Sequence, residues 1–145
     1  MKYYEGASPG RTIVLRFDKG DYIIEGIRQV LREAEIKNGY IASGIGSFDN
    51  CRLKIPLTTE LPPKFTYPEF NDTPLEVVAV QGFIADGQPH IHVVVSDHKK
   101  CLAGHLEEAR ILYVGEIVIQ ELVGLDFTRE ATGPYLERIV LKEEE

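Results

Sequence analysis

The segment Gly87-Gln88-Pro89-His90-Ile91-His92-Val93-Val94-Val95-Ser96, with Cys101-Leu102-Ala103-Gly104-His105 shortly after it, decides how this chain is read. Ile91, Val93, Val94 and Val95 are β-branched and favour a pleated strand. Side chains alternate faces along a strand, so His90 and His92 point the same way, about 6.6 Å apart at ~3.3 Å per residue. Ser96-Asp97-His98-Lys99-Lys100 is polar and reads as a turn that brings the chain back along the same strand. A hairpin centred on His98 and Lys99 sets His92 opposite His105, with Cβ atoms roughly 4.5–5.5 Å apart. Three of the chain's four histidines then converge on one patch. That patch suits a transition metal, since each Zn–N bond is about 2.0–2.1 Å. Register decides the matter, because a one-residue slip or a bulge at Gly104 sends His105 to the other face. The alternative is a pair of edge-strand histidines that only hydrogen-bond.

Working outward, Leu75 to Ala85 reads as a strand that enters the histidine strand through the turn residues Asp86-Gly87. The candidate ligand strand is thereby an interior one, where its side chains are well held. Beyond the hairpin, Leu106 to Arg110 reads as short and helical, and Leu112 to Leu122 as a long strand. Glu116 on that strand, among Val114, Ile117 and Ile119, is the most notable carboxylate: an orienting partner for a metal-bound histidine, a general base, or a structural partner for Arg16. Leu125 to Glu130 and Tyr135 to Leu141 close the sheet around a Gly133-Pro134 turn.

Towards the N-terminus, Thr12 to Phe17 alternates Ile13, Leu15 and Phe17 with Val14 and Arg16, as a strand does. Ile23, Ile24, Ile27, Val30, Leu31 and Ala34 recur at helical spacing. Asp18 or Asp21 caps that helix, and Asn38-Gly39 ends it. Tyr40 to Phe48 and Cys51 to Leu57 read as two strands joined by Asp49-Asn50. Gly44-x-Gly46 lacks the third glycine and the following helix of a phosphate loop, so close packing or a bulge explains it better. Thr58 to Pro74, with its prolines, is a loop or edge strand pinned by Phe65, Tyr67 and Phe70.

At 145 residues the chain makes one domain, 1–145 with its core at about 12–141. Its 43% hydrophobic and 27% charged content is ordinary for a globular protein. No apolar run approaches the ~20 residues of a membrane span, and the first residues lack an apolar export segment. Cys51 and Cys101 make no disulfide framework and have no C-x-x-C spacing. A cytoplasmic protein with no membrane partner is the expectation. The net charge of −7 advertises no basic face for DNA, and there is no Arg-Gly-Arg-Pro type hook. Lys142 to Glu145 reads as a solvated end.

Several motifs in order resemble one family. They are Gly87-x-Pro89-His90-x-His92 running to Asp97, Ala103-Gly104-His105-Leu106, and Val114-Gly115-Glu116 running to Leu122. Arg16 in Val14-Leu15-Arg16-Phe17, Gly20-Asp21, Ser43-Gly44-Ile45-Gly46-Ser47-Phe48, Leu75 to Val78 before Gly82, and Phe127-Thr128-Arg129-Glu130 before Thr132-Gly133 agree with it. From about Val14 to Leu136 the chain resembles the plants-and-prokaryotes-conserved (PPC) domain. The resemblance implies an α/β (α+β) fold with a large, mainly antiparallel sheet and one principal helix, assembled as a homotrimer. In plants such domains follow AT hooks that bind AT-rich DNA, and stand-alone prokaryotic members carry a DNA-binding label. Members keeping H-x-H and G-H use those histidines as metal ligands, which maps onto His90, His92 and His105 with zinc as the metal. Two features depart from the pattern: the turn is about one residue shorter, and Ala103 replaces the first glycine of G-G-H.

Two functions compete. One is a zinc-binding homotrimer with a DNA-associated or regulatory role. The other is a zinc-dependent hydrolase or hydratase, in which three neutral histidines leave a fourth position for water and Glu116 is the best available base. A metal that staples the trimer, or one acquired in purification, is a weaker third.

Overall fold

The computed structural model of the chain describes residues 1–142. Its elements in order are β1 (Ser8–Asp18), α1 (Ile23–Glu33), β2 (Gly39–Pro56), β3 (Phe65–Thr66) and β4 (Glu69–Phe70). There follow β5 (Leu75–Ala85), β6 (Gln88–Ser96), β7 (Cys101–Val123), β8 (Phe127–Gly133) and β9 (Leu136–Leu141). Every ladder is antiparallel, and one short helix accompanies the sheet among the described residues. This is a sheet-dominated α+β fold, as read from the sequence.

β7 is the spine. One of its sides carries β6 at its start and β1 at its end, while β2 runs along the other. β2 also pairs with β5, and β5 with β6, so β7, β2, β5 and β6 close into a ring. Closure needs strong coiling, which the register shifts in the β2–β7 ladder provide. The glycines read as packing residues are placed there: a Cβ on Gly44 would lie 2.5 Å from the Val80 Cβ, and one on Gly46 would lie 2.6 Å from the Val114 carbonyl oxygen. These contacts agree with the reading of Gly44-x-Gly46 as close packing rather than a phosphate loop.

The core fills one face. Ile91, Val93 and Val95 of β6, Ile117 and Ile119 of β7, and Leu15 and Phe17 of β1 are buried with Ile23, Ile24, Ile27 and Leu31 of α1. Alternation therefore turns His90 and His92 away from the core, and Val14, Arg16 and Glu116 likewise.

Several boundaries differ from the sequence reading. The residue at the N-cap of α1 is Tyr22, without a side-chain cap; the Asp21 carboxylate instead accepts a hydrogen bond from the Asp18 N–H at 2.8 Å. The helix ends earlier than Asn38-Gly39, with Glu35 in the left-handed region at φ 53° and the Ile36 N–H donating to the Leu31 carbonyl at 2.9 Å. Asn38 serves a tertiary purpose: its side chain donates to Asp126 at 2.7 Å and accepts from the Phe127 N–H at 3.0 Å.

Asp49-Asn50 does not break the chain, since β2 is continuous and absorbs the pair at a register shift. Leu106 to Arg110 is strand rather than helix, being held on β2 throughout. β8 and β9 form their own two-stranded sheet instead of closing the main one. The aromatic loop matches its reading, with Phe65 and Phe70 in β3 and β4 against β2. No helix among the described residues is long and apolar enough to cross a membrane. Of the tail read as a solvated end, Lys142 is instead tied down, its N–H donating to the Asp126 carbonyl at 2.8 Å and its Nζ to the Asp86 carboxylate at 2.6 Å; 143–145 lie outside the described residues.

Candidate metal centre

The β6–β7 hairpin has the register that brings the histidines together: His92 opposes His105, Val93 opposes Gly104, and Ser96 opposes Cys101. Its turn works without Asn-Gly. The Asp97 carboxylate accepts from the backbone N–H groups of Lys99 and Lys100 at 2.7 and 2.8 Å, and the Asp97 N–H donates to the Lys100 carbonyl at 3.1 Å. An aspartate thus mimics a backbone turn and keeps an even-numbered loop. Gly104 stays within the ladder, so His105 remains on the face of His92.

On the other side, Phe83 opposes His90 and Gln81 opposes His92. Asp86 and Gly87 have φ of 51° and 71°, the left-handed pair that a tight hairpin prefers. Gly82 lets the strands approach, because a Cβ there would stand 2.4 Å from the His90 carbonyl oxygen. His92 is therefore held from both sides by backbone pairing, and His90 from the β5 side.

Nε2 of His90 and Nε2 of His92 are 3.1 Å apart, and one ring nitrogen from each of His90, His92 and His105 lies within 4.8 Å of the others. Two nitrogens on one tetrahedral ion, each at about 2.05 Å, are separated by about 3.3 Å. The donor set is all imidazole, which suits zinc, and the spacing fits one ion. Burial, followed by His105, Arg129 and His92, lowers the His90 pKa to about 4, against the pull of Glu137. His105 is also lowered, first by burial and then by His92, Lys54 and Arg129. Both are neutral near pH 7, the state in which imidazole offers a lone pair.

The histidines floor a cavity of about 700 Å³ whose walls include Lys54, Phe65, Tyr135, Leu136 and Glu137. A second cavity of about 400 Å³ also reaches His90 and His105, and is lined by Arg28, Arg129 and Glu137. The Glu107 carboxylate is 3.6 Å from His105 Nε2, beyond hydrogen-bonding distance.

Glu116 is not brought to this site. It is exposed, opposite Arg16 and Ile45 in its two ladders, and eleven positions beyond His105 on β7, about 36 Å at ~3.3 Å per residue. Arg16 pairs with Asp18 at 2.9 Å. Neither cysteine belongs to the cluster; burial pushes the Cys51 thiol up to about 12.

Lys54, Glu107, Arg129 and Glu137 escaped the sequence reading. Glu107 follows His105 by two residues and Lys54 is its ladder partner, so period-two alternation and register point to both. Arg129 and Glu137 come from the separate β8–β9 hairpin, whose position no local pattern reveals.

The Plants and Prokaryotes Conserved (PCC) domain matches residues 4–123. Among solved structures, the metal-containing protein of Archaeoglobus fulgidus is 26% identical, with a TM-score of 0.77 over 89% of this chain and 91% of that one. A plant- and prokaryote-conserved protein of Pyrococcus horikoshii is also 26% identical, with a TM-score of 0.78 over 99% of each chain. A candidate DNA-binding protein from Bacteroides thetaiotaomicron shares the fold at 20% identity, with a TM-score of 0.74 over 95% of this chain and 98% of that one. The bifunctional protein GlmU of a Synechococcus strain is 27% identical over 132 residues, 88% of this chain. The chain spans about 20% of the length of that curated relative.

Proposed function

Because the chain belongs to the Plants and Prokaryotes Conserved domain family, we propose that it is a metal-binding member whose His90, His92 and His105 hold one zinc ion. The observation that carries this is the convergence of the three imidazoles, with two Nε2 atoms 3.1 Å apart on a hairpin fixed from both sides. The metal-containing relative from Archaeoglobus fulgidus supports it. Metal analysis of the untagged protein, beside His92→Ala, tests it: about one zinc per wild-type chain and almost none in the variant is the expected result. Equal metal in both would remove the centre.

The protein works as a homotrimer in this reading. Val14 and Ile45, 73% and 51% exposed, share the outer sheet face with Arg16 and Glu116, an apolar and charged patch that suits a partner subunit. A DNA-associated or regulatory role in the cytoplasm is the wider setting we propose, supported by the candidate DNA-binding relative. With a net charge of −7, such contact has to use a local basic patch, so salt-sensitive binding to duplex DNA is its test.

A hydrolytic or hydratase reading is favoured by one observation, the cavity of about 700 Å³ that opens on the histidines. When bound, zinc supplies a Lewis acid for such chemistry. The chain's own proton acceptors there are the carboxylates of Glu107 and Glu137, rather than Glu116.

A further inference from the structure

Arg11, Arg16, Arg52, Arg110 and Arg138 are each ion-paired with a carboxylate, while Arg28 and Arg32 are exposed to solvent. Arg129 is neither. It is half-buried, donates one long hydrogen bond of 3.5 Å to the Phe83 carbonyl, and has no carboxylate at ion-pair distance among the described residues. It lines a cavity with His90 and His105, and its charge acts on both rings. Lys54 lines the larger cavity, which shares His90, His105 and Glu137 with the first. It is the ladder partner of His105, and its Nζ rests 4.3 Å from the centre of the Phe65 ring without a carboxylate partner among the described residues.

A half-buried guanidinium without a counter-ion is costly unless something anionic joins it. Its planar fork matches the paired oxygens of a carboxylate or phosphate. Phe65 and Leu136 add apolar wall to the larger cavity, enough for an organic body beside a charged head. Glu137 and Glu107 on the same rim keep the patch mixed. Together with the net charge of −7, they disfavour a polyanion, which needs continuous positive potential.

We propose that Arg129 and Lys54, which line the two cavities that share His90 and His105, make this region a binding site for a small organic oxyanion, a carboxylate or a phosphate ester, held beside the histidines. The site takes one such molecule per chain. This rests on the reading of the histidines as a metal centre, and the test separates the two.

Inorganic phosphate and benzoate are titrated calorimetrically into the full chain, both metal-free and loaded with Co(II), whose visible spectrum reports uptake. At least one probe binds the wild-type protein, and which one tells phosphate from carboxylate. Arg129→Gln and Lys54→Gln each weaken that binding about ten-fold or more, the loss of a charge-assisted contact, with Co(II) uptake unchanged. Lys54→Gln decides should Arg129→Gln fail to fold. No binding of either probe, or wild-type affinity in the folded variants, overturns the proposal. So does Arg129-dependent binding of a short DNA duplex without binding of the small anions. Absence of Co(II) uptake by the wild-type protein would sink the metal centre alone, since the metal-free titration still reads the cationic wall.

Discussion

His90 and His92 are two residues apart on one strand, and His105 meets His92 across a ladder whose register an aspartate-held turn maintains. Deletion of a proposed ligand therefore acts locally. His105→Ala is expected to reduce bound zinc to background, as His92→Ala does, whereas His98→Ala in the turn leaves it at the wild-type level; metal analysis of the three proteins checks this. A second residue-scale prediction concerns Glu121. A hydrogen bond from the Arg11 guanidinium, then one from the Arg11 backbone N–H, lowers its carboxyl to about 2 against the opposing effect of burial. The folded pKa is depressed relative to about 4.3 in an unfolded chain, so the contribution to stability is present above that value and lost as pH falls towards 2. Thermal melts of wild type and Glu121→Gln are expected to differ at pH 7 and to converge near pH 2. With Arg11 56% exposed, added salt narrows the gap at pH 7.

Among the elements, β6 is the one on which the site depends. It is packed through Ile91, Val93 and Val95 and zipped to β5 and β7, which leaves the even-numbered histidines facing outward together. Gly82→Ala tests that support. The added methyl would press on the His90 carbonyl oxygen and main chain, backbone atoms that cannot swing aside. The expected result is about 1–3 kcal/mol of lost stability and at least ten-fold weaker zinc binding, measured by denaturant unfolding and by competition with a chelator. Ile117→Ala is the contrasting case. Its side chain is fully buried on β7, remote from the histidines, so a cost of about 2–5 kcal/mol is expected with zinc content unchanged in the folded fraction.

At the scale of the whole molecule, the ring of β7, β2, β5 and β6 encloses the core and leaves an outer sheet face carrying Val14, Ile45, Arg16 and Glu116. Ile45→Glu places a charge on that face next to Glu116, its ladder partner. Multi-angle light scattering is expected to show a trimer for wild type and monomer for the variant, with little change in monomer fold, since Ile45 is 51% exposed. A trimer unaffected by Ile45→Glu would move the interface elsewhere.

Local patterning was enough for α1, β1, β5, β6 and the hairpin that gathers the histidines, because period 3.6, period 2 and turn chemistry act between near neighbours in sequence. It was enough to bring His90, His92 and His105 together for the same reason: strand alternation and one ladder register relate all three. Where local signals misled, long-range pairing overruled them. Asp49-Asn50 looks like a turn yet lies within β2, and Leu106 to Arg110 looks helical yet is strand, because β2 and β7 hold each other along their length. The β8–β9 hairpin was legible as a hairpin but not as a wall of the histidine cavity. Asn38 anchors its start from 88 residues away, and Arg129 and Glu137 reach the site through that contact, the packing of Phe83 on Phe127 and of Phe65 on Tyr135, and the Lys142–Asp86 ion pair. The sequence alone determined which histidines gather on one hairpin face; the tertiary structure decided which charges surround them, because those charges come from segments with no periodic relation to the histidine hairpin.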